Sequence, residues 1–180
     1  MTAPRLAAVV GPSGVGKDSL IAALAAADPR LHPLRRVITR PADDTEPFRS
    51  ATDAQFDTML ADDAFLLHWS AHGLRYGIPR AGLDVLSPGE TGLANLSRGV
   101  LDQAARAVPS LVVLSVTAPA GVLARRLAGR GRECEAQIAA RLARPRPAPP
   151  GTVRVVQIDN GGPLDKALDF ALSALSGATP

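Results

Sequence analysis

The stretch Gly11-Pro12-Ser13-Gly14-Val15-Gly16-Lys17-Asp18 constrains this chain more than any other. Before it, residues 6–10 form an apolar, β-branched run that reads as a buried strand. After it, residues 17–27 are rich in Leu, Ile and Ala with no breaker and read as a helix, ended near Asp28-Pro29. A glycine loop between a strand and a helix points successive backbone N–H groups at one anion, and the helix N-terminus adds its partial positive charge. Lys17 supplies a mobile point charge for the β- and γ-phosphates of a nucleotide. Residues 11–19 are therefore expected to bind ATP. A phosphate-binding loop of this kind usually ends in Ser or Thr, whose hydroxyl binds magnesium. Here Asp18 takes that place and Ser19 follows. A carboxylate beside a triphosphate is repulsive unless a cation lies between them, so Asp18 is a candidate Mg²⁺ ligand; a helix N-terminal acid favoured by the dipole is the alternative.

The rest of the chain alternates predicted strands and helices. Strands are expected at 36–39, 91–96, 111–116 and 153–158, and helices at 53–60 (capped by Thr52), 80–86, 99–107, 120–128, 135–143 and 164–175. Residues 64–69 and 74–78 flank His72-Gly73 as a hairpin, and residues 41–50 read as irregular. The alternation predicts an α/β fold with a mostly parallel sheet flanked by helices. The 180 residues suit one domain over 1–180, and the Pro-rich run 145–150 reads as a linker.

Composition removes several function classes. No apolar run approaches the ~20 residues of a membrane helix, and a cytoplasmic location is the default. The net charge of +3 and 3% aromatic content argue against a nucleic-acid binder. A lone cysteine, Cys134, excludes an intrachain disulfide. Of the 20 basic residues only Lys17 and Lys166 are lysines, which weakly favours a chemical reason for Lys17.

Several arginines lie where ligands of an α/β sheet bind. Arg40 follows the predicted strand at 36–39, and Ser97 and Arg98 follow the next one. Arg126, Arg130 and Arg132 bracket a Gly-rich segment, with Arg141 one helix on. Residues 129–143 therefore read as a lid whose glycines are hinges and whose guanidinium groups neutralise charge on a transferring phosphoryl group; an exposed basic helix pair is the alternative. Asp159-Asn160-Gly161 either borders an adenine pocket or makes a tight turn.

The segments GPSGVGKDSL (11–20), VITR (37–40), Trp69 with GLRYG (73–77), NLSR (95–98), RL with GRGRE (126–133), ARLAR (140–144) and DNG (159–161) together resemble the guanylate-kinase-like group of P-loop kinases. Within it the chain is most similar to the ribose 1,5-bisphosphate phosphokinase family of bacterial phosphonate breakdown. The resemblance covers nearly the whole chain. It implies ATP and Mg²⁺ as cofactors and an acceptor-binding insertion over about 40–80. It also implies a phosphorylated sugar as substrate and leaves a homodimer open. Arg40 becomes an acceptor-phosphate clamp and Tyr76 a phosphate contact. Asn95 matches the magnesium-side Asp of guanylate kinases. Asp43 stands in place of those enzymes' second Arg, Glu46 falls where their next acid sits, and apolar Leu67 occupies the place of their guanine-reading Glu. Arg75 stands where relatives have an aromatic residue. The expected reaction is phosphorylation of ribose 1,5-bisphosphate at its 1-phosphate. A nucleoside-monophosphate kinase and a non-catalytic binding module are the competing readings. His68 and His72 are expected to have no catalytic role, because a phosphate monoester with a second pKa of ~6 is already a dianion near neutral pH.

Overall fold

The computed structural model describes residues 4–41, 47–129, 150–151 and 153–177. Five strands form a parallel sheet in the order β2-β7-β1-β8-β9: β2 (Leu31–Pro33), β7 (Thr91–Asn95), β1 (Arg5–Val10), β8 (Leu111–Thr117) and β9 (Arg154–Asp159). β1 is central, and every one of Leu6, Ala7, Ala8, Val9 and Val10 is fully buried. That is why its sequence is continuously apolar rather than alternating. Leu6, Ala8 and Val10 face one core cluster, with α4 (Leu101–Ala107). Ala7 and Val9 face the other, with α1 (Lys17–Ala27) and α6 (Leu164–Ser176).

A second, four-stranded sheet has the order β4-β3-β6-β5: β4 (Phe48–Ser50), β3 (Arg36–Ile38), β6 (Leu74–Pro79) and β5 (Phe65–Ala71). β3 runs parallel to β4 and antiparallel to β6, and β5 and β6 form the expected hairpin. His72 and Gly73, at φ 54° and 73°, make its two-residue turn, the backbone signature of type I′. α2 (Asp53–Ala61) covers one face of this sheet. Thr52 and Gln55 close its first turn in a reciprocal capping box. Phe56 stacks on Phe65 at 4.5 Å between centroids.

Strict alternation of strands and helices fails between residues 31 and 79. β2 and β4 were not expected. β2 is an edge strand that ends at Pro33, where a missing N–H costs no ladder bond, so neither its length nor its pattern betrays it. β4 is a three-residue edge strand within the stretch read as irregular. The helix at 80–86 shrinks to α3 (Ala81–Asp84), and the one at 99–107 begins as a 3₁₀ turn over Arg98–Val100. α5 (Ala120–Ala128) follows β8 as expected. The predicted helix at 135–143 lies outside the described residues. Among the described residues no helix is long and apolar enough to cross a membrane.

Candidate active site

The glycine loop sits at the carboxyl end of central β1 and runs directly into α1. The surrounding structure permits no side chain at two of its positions. A Cβ on Gly11 would collide with the carbonyl oxygen of Val116 on neighbouring β8. A Cβ on Gly16, at φ 90°, would lie 2.7 Å from the Asn160 amide nitrogen. Lys17 folds back over the loop, donating from Nζ to the carbonyls of Gly11 (3.1 Å) and Pro12 (3.2 Å). This holds the ammonium across the mouth of the cradle.

Three outside groups brace the loop. Asn160, 3% exposed after β9, donates from Nδ2 to the Val15 carbonyl at 2.7 Å. Its own N–H bonds the Thr117 carbonyl at 2.8 Å. Arg126 on α5 reaches the same Val15 carbonyl at 3.4 Å, and Leu127 packs where a Cβ of Gly14 would be. Asn160, expected at the border of an adenine pocket, thus has its buried amide against the loop. The turn reading of 159–161 holds, because Gly161 N–H bonds the Asp159 carboxylate at 2.8 Å. Arg126 does stand beside the loop. Arg130, Arg132 and Arg141 lie outside the described residues, as do Asp43, Glu46 and Cys134.

Asp18, in the first turn of α1, accepts a hydrogen bond at 2.8 Å from Nδ2 of Asn95, the last residue of β7. β7 is the neighbour of β1, in register Val9↔Asn95, so the pairing of the sheet itself brings the amide to the loop. The spacing of these residues in sequence could not show this contact. Among the described residues no cation pairs with Asp18. No cluster of three metal-ligating side chains exists among them either. One carboxylate at the loop fits Mg²⁺ bound as a nucleotide complex, in which phosphates and waters fill most of the octahedron. Ser19, expected at the nucleotide, is exposed on α1.

Ser97 is exposed at the 3₁₀ turn beyond β7. Arg98 is partly buried and donates to Ser115 Oγ at 3.1 Å, reaching from β7 to β8 past β1. On the second sheet, period two sorts the candidates. Tyr76 pairs with Trp69, and their rings stack at 5.3 Å and 9° on the face toward the main core. Arg75 therefore points the other way. It meets Asp57 at 2.8 Å and Asp53 at 3.8 Å, with its guanidinium 4.4 Å over Phe56. Its role is to hold α2 on the sheet. Arg40 lies 4.6 Å over the Phe48 ring. Thr39 exchanges two hydrogen bonds with the backbone of Arg75, its N–H to the carbonyl (3.0 Å) and its Oγ1 from the N–H (2.9 Å), which fixes where the chain leaves β3 for Arg40. Leu67 is fully buried in the core, so no polar group stands at its position to read a base. His68 is exposed, and His72 is a turn residue.

No protein-family model matches the chain. It is 54% identical over 164 residues to ribose 1,5-bisphosphate phosphokinase PhnN of Ruegeria sp. (strain TM1040), covering 89% of this chain and 86% of that protein. It is 46% identical over 159 residues to the protein of the same name from Brucella melitensis biotype 2, covering 86% and 83%. Its fold is similar to that of guanylate kinase from Anaplasma phagocytophilum, with a TM-score of 0.70 and 17% identity over 97% of this chain and 85% of that one. With the phosphate cradle intact and a curated relative more than half identical along most of both chains, this protein is a kinase of the ribose 1,5-bisphosphate phosphokinase family.

Proposed function

We propose that the protein transfers the γ-phosphoryl group of ATP to the 1-phosphate of ribose 1,5-bisphosphate, giving 5-phosphoribosyl 1-diphosphate and ADP. The observation that carries this reading is the 54% identity to a ribose 1,5-bisphosphate phosphokinase over most of both chains. The geometry supports it from two sides. The donor half is a complete cradle with Lys17 drawn across it. In the acceptor half, Leu67 leaves the N–H groups of a guanine without an acceptor, a cost of about 1–3 kcal/mol for each unpaired group.

In the reaction an oxygen of the 1-phosphate attacks the γ-phosphorus, and the bond from that phosphorus to the β–γ bridging oxygen breaks. The nucleophile is already a dianion near neutral pH, so no general base is needed. The chain's work is positioning and charge neutralisation. Lys17 meets the β- and γ-oxygens, and Arg126 lies beside the loop to neutralise the transferring group. Arg40 and Tyr76 hold the nucleophilic phosphate in line, and Ser97 and Arg98 approach from the end of β7. Magnesium, when bound with ATP, neutralises the phosphate oxygens on the side of Asp18, the residue that would hold it. Residues 40–80 form the acceptor half of this arrangement.

The test is Mg-ATP-dependent ADP release with a panel of acceptors, with phosphorus NMR of the product. Release with ribose 1,5-bisphosphate and a new diphosphate signal is expected. Release with GMP alone would instead make the protein a nucleotide kinase, and no release with any acceptor would leave a binding module.

A further inference from the structure

The cleft that Asp18 and Asn95 border has a second polar wall. It encloses about 450 Å³ and runs from Asp18 and Ile21 on α1, past Leu93 and Asn95 on β7, to Arg35 and Arg36 at the start of β3. That volume lies in the range of about 300–1,000 Å³ usual for small-molecule sites. Its walls come from different parts of the chain. One is the loop helix and the central sheet, and the other is the entry to the second sheet.

Strand periodicity decides which β3 side chains can face inward. Val37 packs with Phe56 and Phe65 under α2. Arg36 and Ile38 therefore project from the opposite face, the face that carries Tyr76, the pairing partner of Ile38. Arg36 is partly buried and Arg35 exposed. Arg36, on that face, and Arg35, just before the strand, both line the cleft that reaches Asp18, while Arg40, four residues past Arg36, lies beyond the strand end over Phe48.

An acceptor with two phosphates needs two separate sets of donors. The phosphate that attacks must lie in line with the γ-phosphorus at the loop, and the pentose ring keeps the other one away from it. We propose that Arg35 and Arg36 bind this second, non-reacting phosphate and so select a bisphosphorylated sugar over a monophosphorylated one. The assignment rests on the reading of the acceptor given above and adds the residues that determine its specificity. Planar guanidinium forks match phosphate oxygens bidentately, which a lysine cannot do.

The experiment is equilibrium binding of ribose 1,5-bisphosphate and of ribose 1-phosphate, each with MgADP present. It compares the wild-type chain with Arg36→Ala, Arg36→Lys and Arg35→Ala, after circular dichroism has shown each variant to be folded. The quantity read is the ratio of the two dissociation constants. Wild type should favour the bisphosphate, and Arg36→Ala should shrink that preference by about 10- to 100-fold, the loss of one or two charge-assisted hydrogen bonds. Arg36→Lys should fall between, and Arg35→Ala should shrink the preference less. A preference that is unchanged in Arg36→Ala and Arg35→Ala, or equal weakening of both ligands, overturns the assignment while leaving the proposed reaction intact. A wild-type chain that binds neither sugar phosphate overturns the proposed reaction and this inference together.

Discussion

Nδ2 of Asn95 donates to Oδ1 of Asp18 at 2.8 Å, so the acid that ends the glycine loop is tied to the strand beside it. Asp18 brings a negative charge to the phosphate loop, where a bound cation would offset it. Asp18→Asn should therefore lower kcat/KM by about 100-fold and raise the Mg²⁺ concentration needed for half-maximal rate, as loss of a charge-neutralising contact does. An unchanged magnesium titration would remove the metal role from Asp18.

Asn95→Asp offers a sharper probe of the same contact. Two carboxyl groups at hydrogen-bond distance cannot both ionise freely, so one must hold its proton well above the ordinary carboxylate range. Its folded-state pKa is raised above the unfolded one. The variant is then most stable at low pH, where the shared proton is present, and loses stability as pH rises through the raised value. Thermal melts of wild type and variant from pH 4 to 8 should diverge with rising pH. Parallel curves would mean that the two side chains part in solution.

Asn160 and Gly16 should behave as a coupled pair. Asn160→Ala deletes the bond to the buried Val15 carbonyl and should cost about 1–3 kcal/mol of stability, together with a raised KM for ATP. Gly16→Ala should be worse, because the new methyl meets the Asn160 amide and the φ of 90° is unfavourable for alanine. In the double variant the collision is gone, so of the Gly16→Ala cost only the backbone strain remains beside the lost Asn160 bond. The combined loss should be smaller than the sum of the two single losses, measured as a double-mutant cycle in denaturant.

Arg75→Ala should reduce stability by about 1 kcal/mol through its stacking on Phe56 and its contact with Asp57, whose carboxylate is largely exposed. KM for the acceptor should stay within about twofold, since Arg75 faces α2 and not the cleft. A tenfold rise in that KM with an unchanged melting temperature would put Arg75 at the substrate.

His68→Ala and His72→Asn should leave kcat within about twofold, and no histidine limb should appear in the pH–rate profile. Asn tolerates the left-handed backbone of the hairpin turn, so this variant tests chemistry without disturbing the fold. Loss of turnover in a folded variant would require a general base after all.

The main sheet and the glycine loop were legible because their signals are local. Continuous apolar strands, a glycine loop and a helix without breakers all act over a few residues. The contacts that complete the site were not. Asn95 meets Asp18 and Asn160 meets Val15 only because parallel strands far apart in sequence lie side by side. Arg75 shows a different limit. It sits beside Tyr76 in the sequence, yet the pleat sends the two to opposite faces, and only the position of α2 says which face is which. β2 and β4 escaped because these three-residue edge strands, LHP and FRS, lack the adjacent β-branched residues that mark Val37 and Ile38 in the equally short β3.

The register of β1 also sets an order of assembly. Arg5 pairs with Thr91, and Leu6 with Leu111, so β1, once made, has no partner strand until β7 and then β8 have followed. The hairpin of β5 and β6 needs nothing beyond Pro79 and can close earlier. At about 5–20 residues per second, Asn160 follows β1 by on the order of ten seconds. The nucleotide loop is thus made well before Asn160, and the brace on its Val15 carbonyl can form only after β9 has followed.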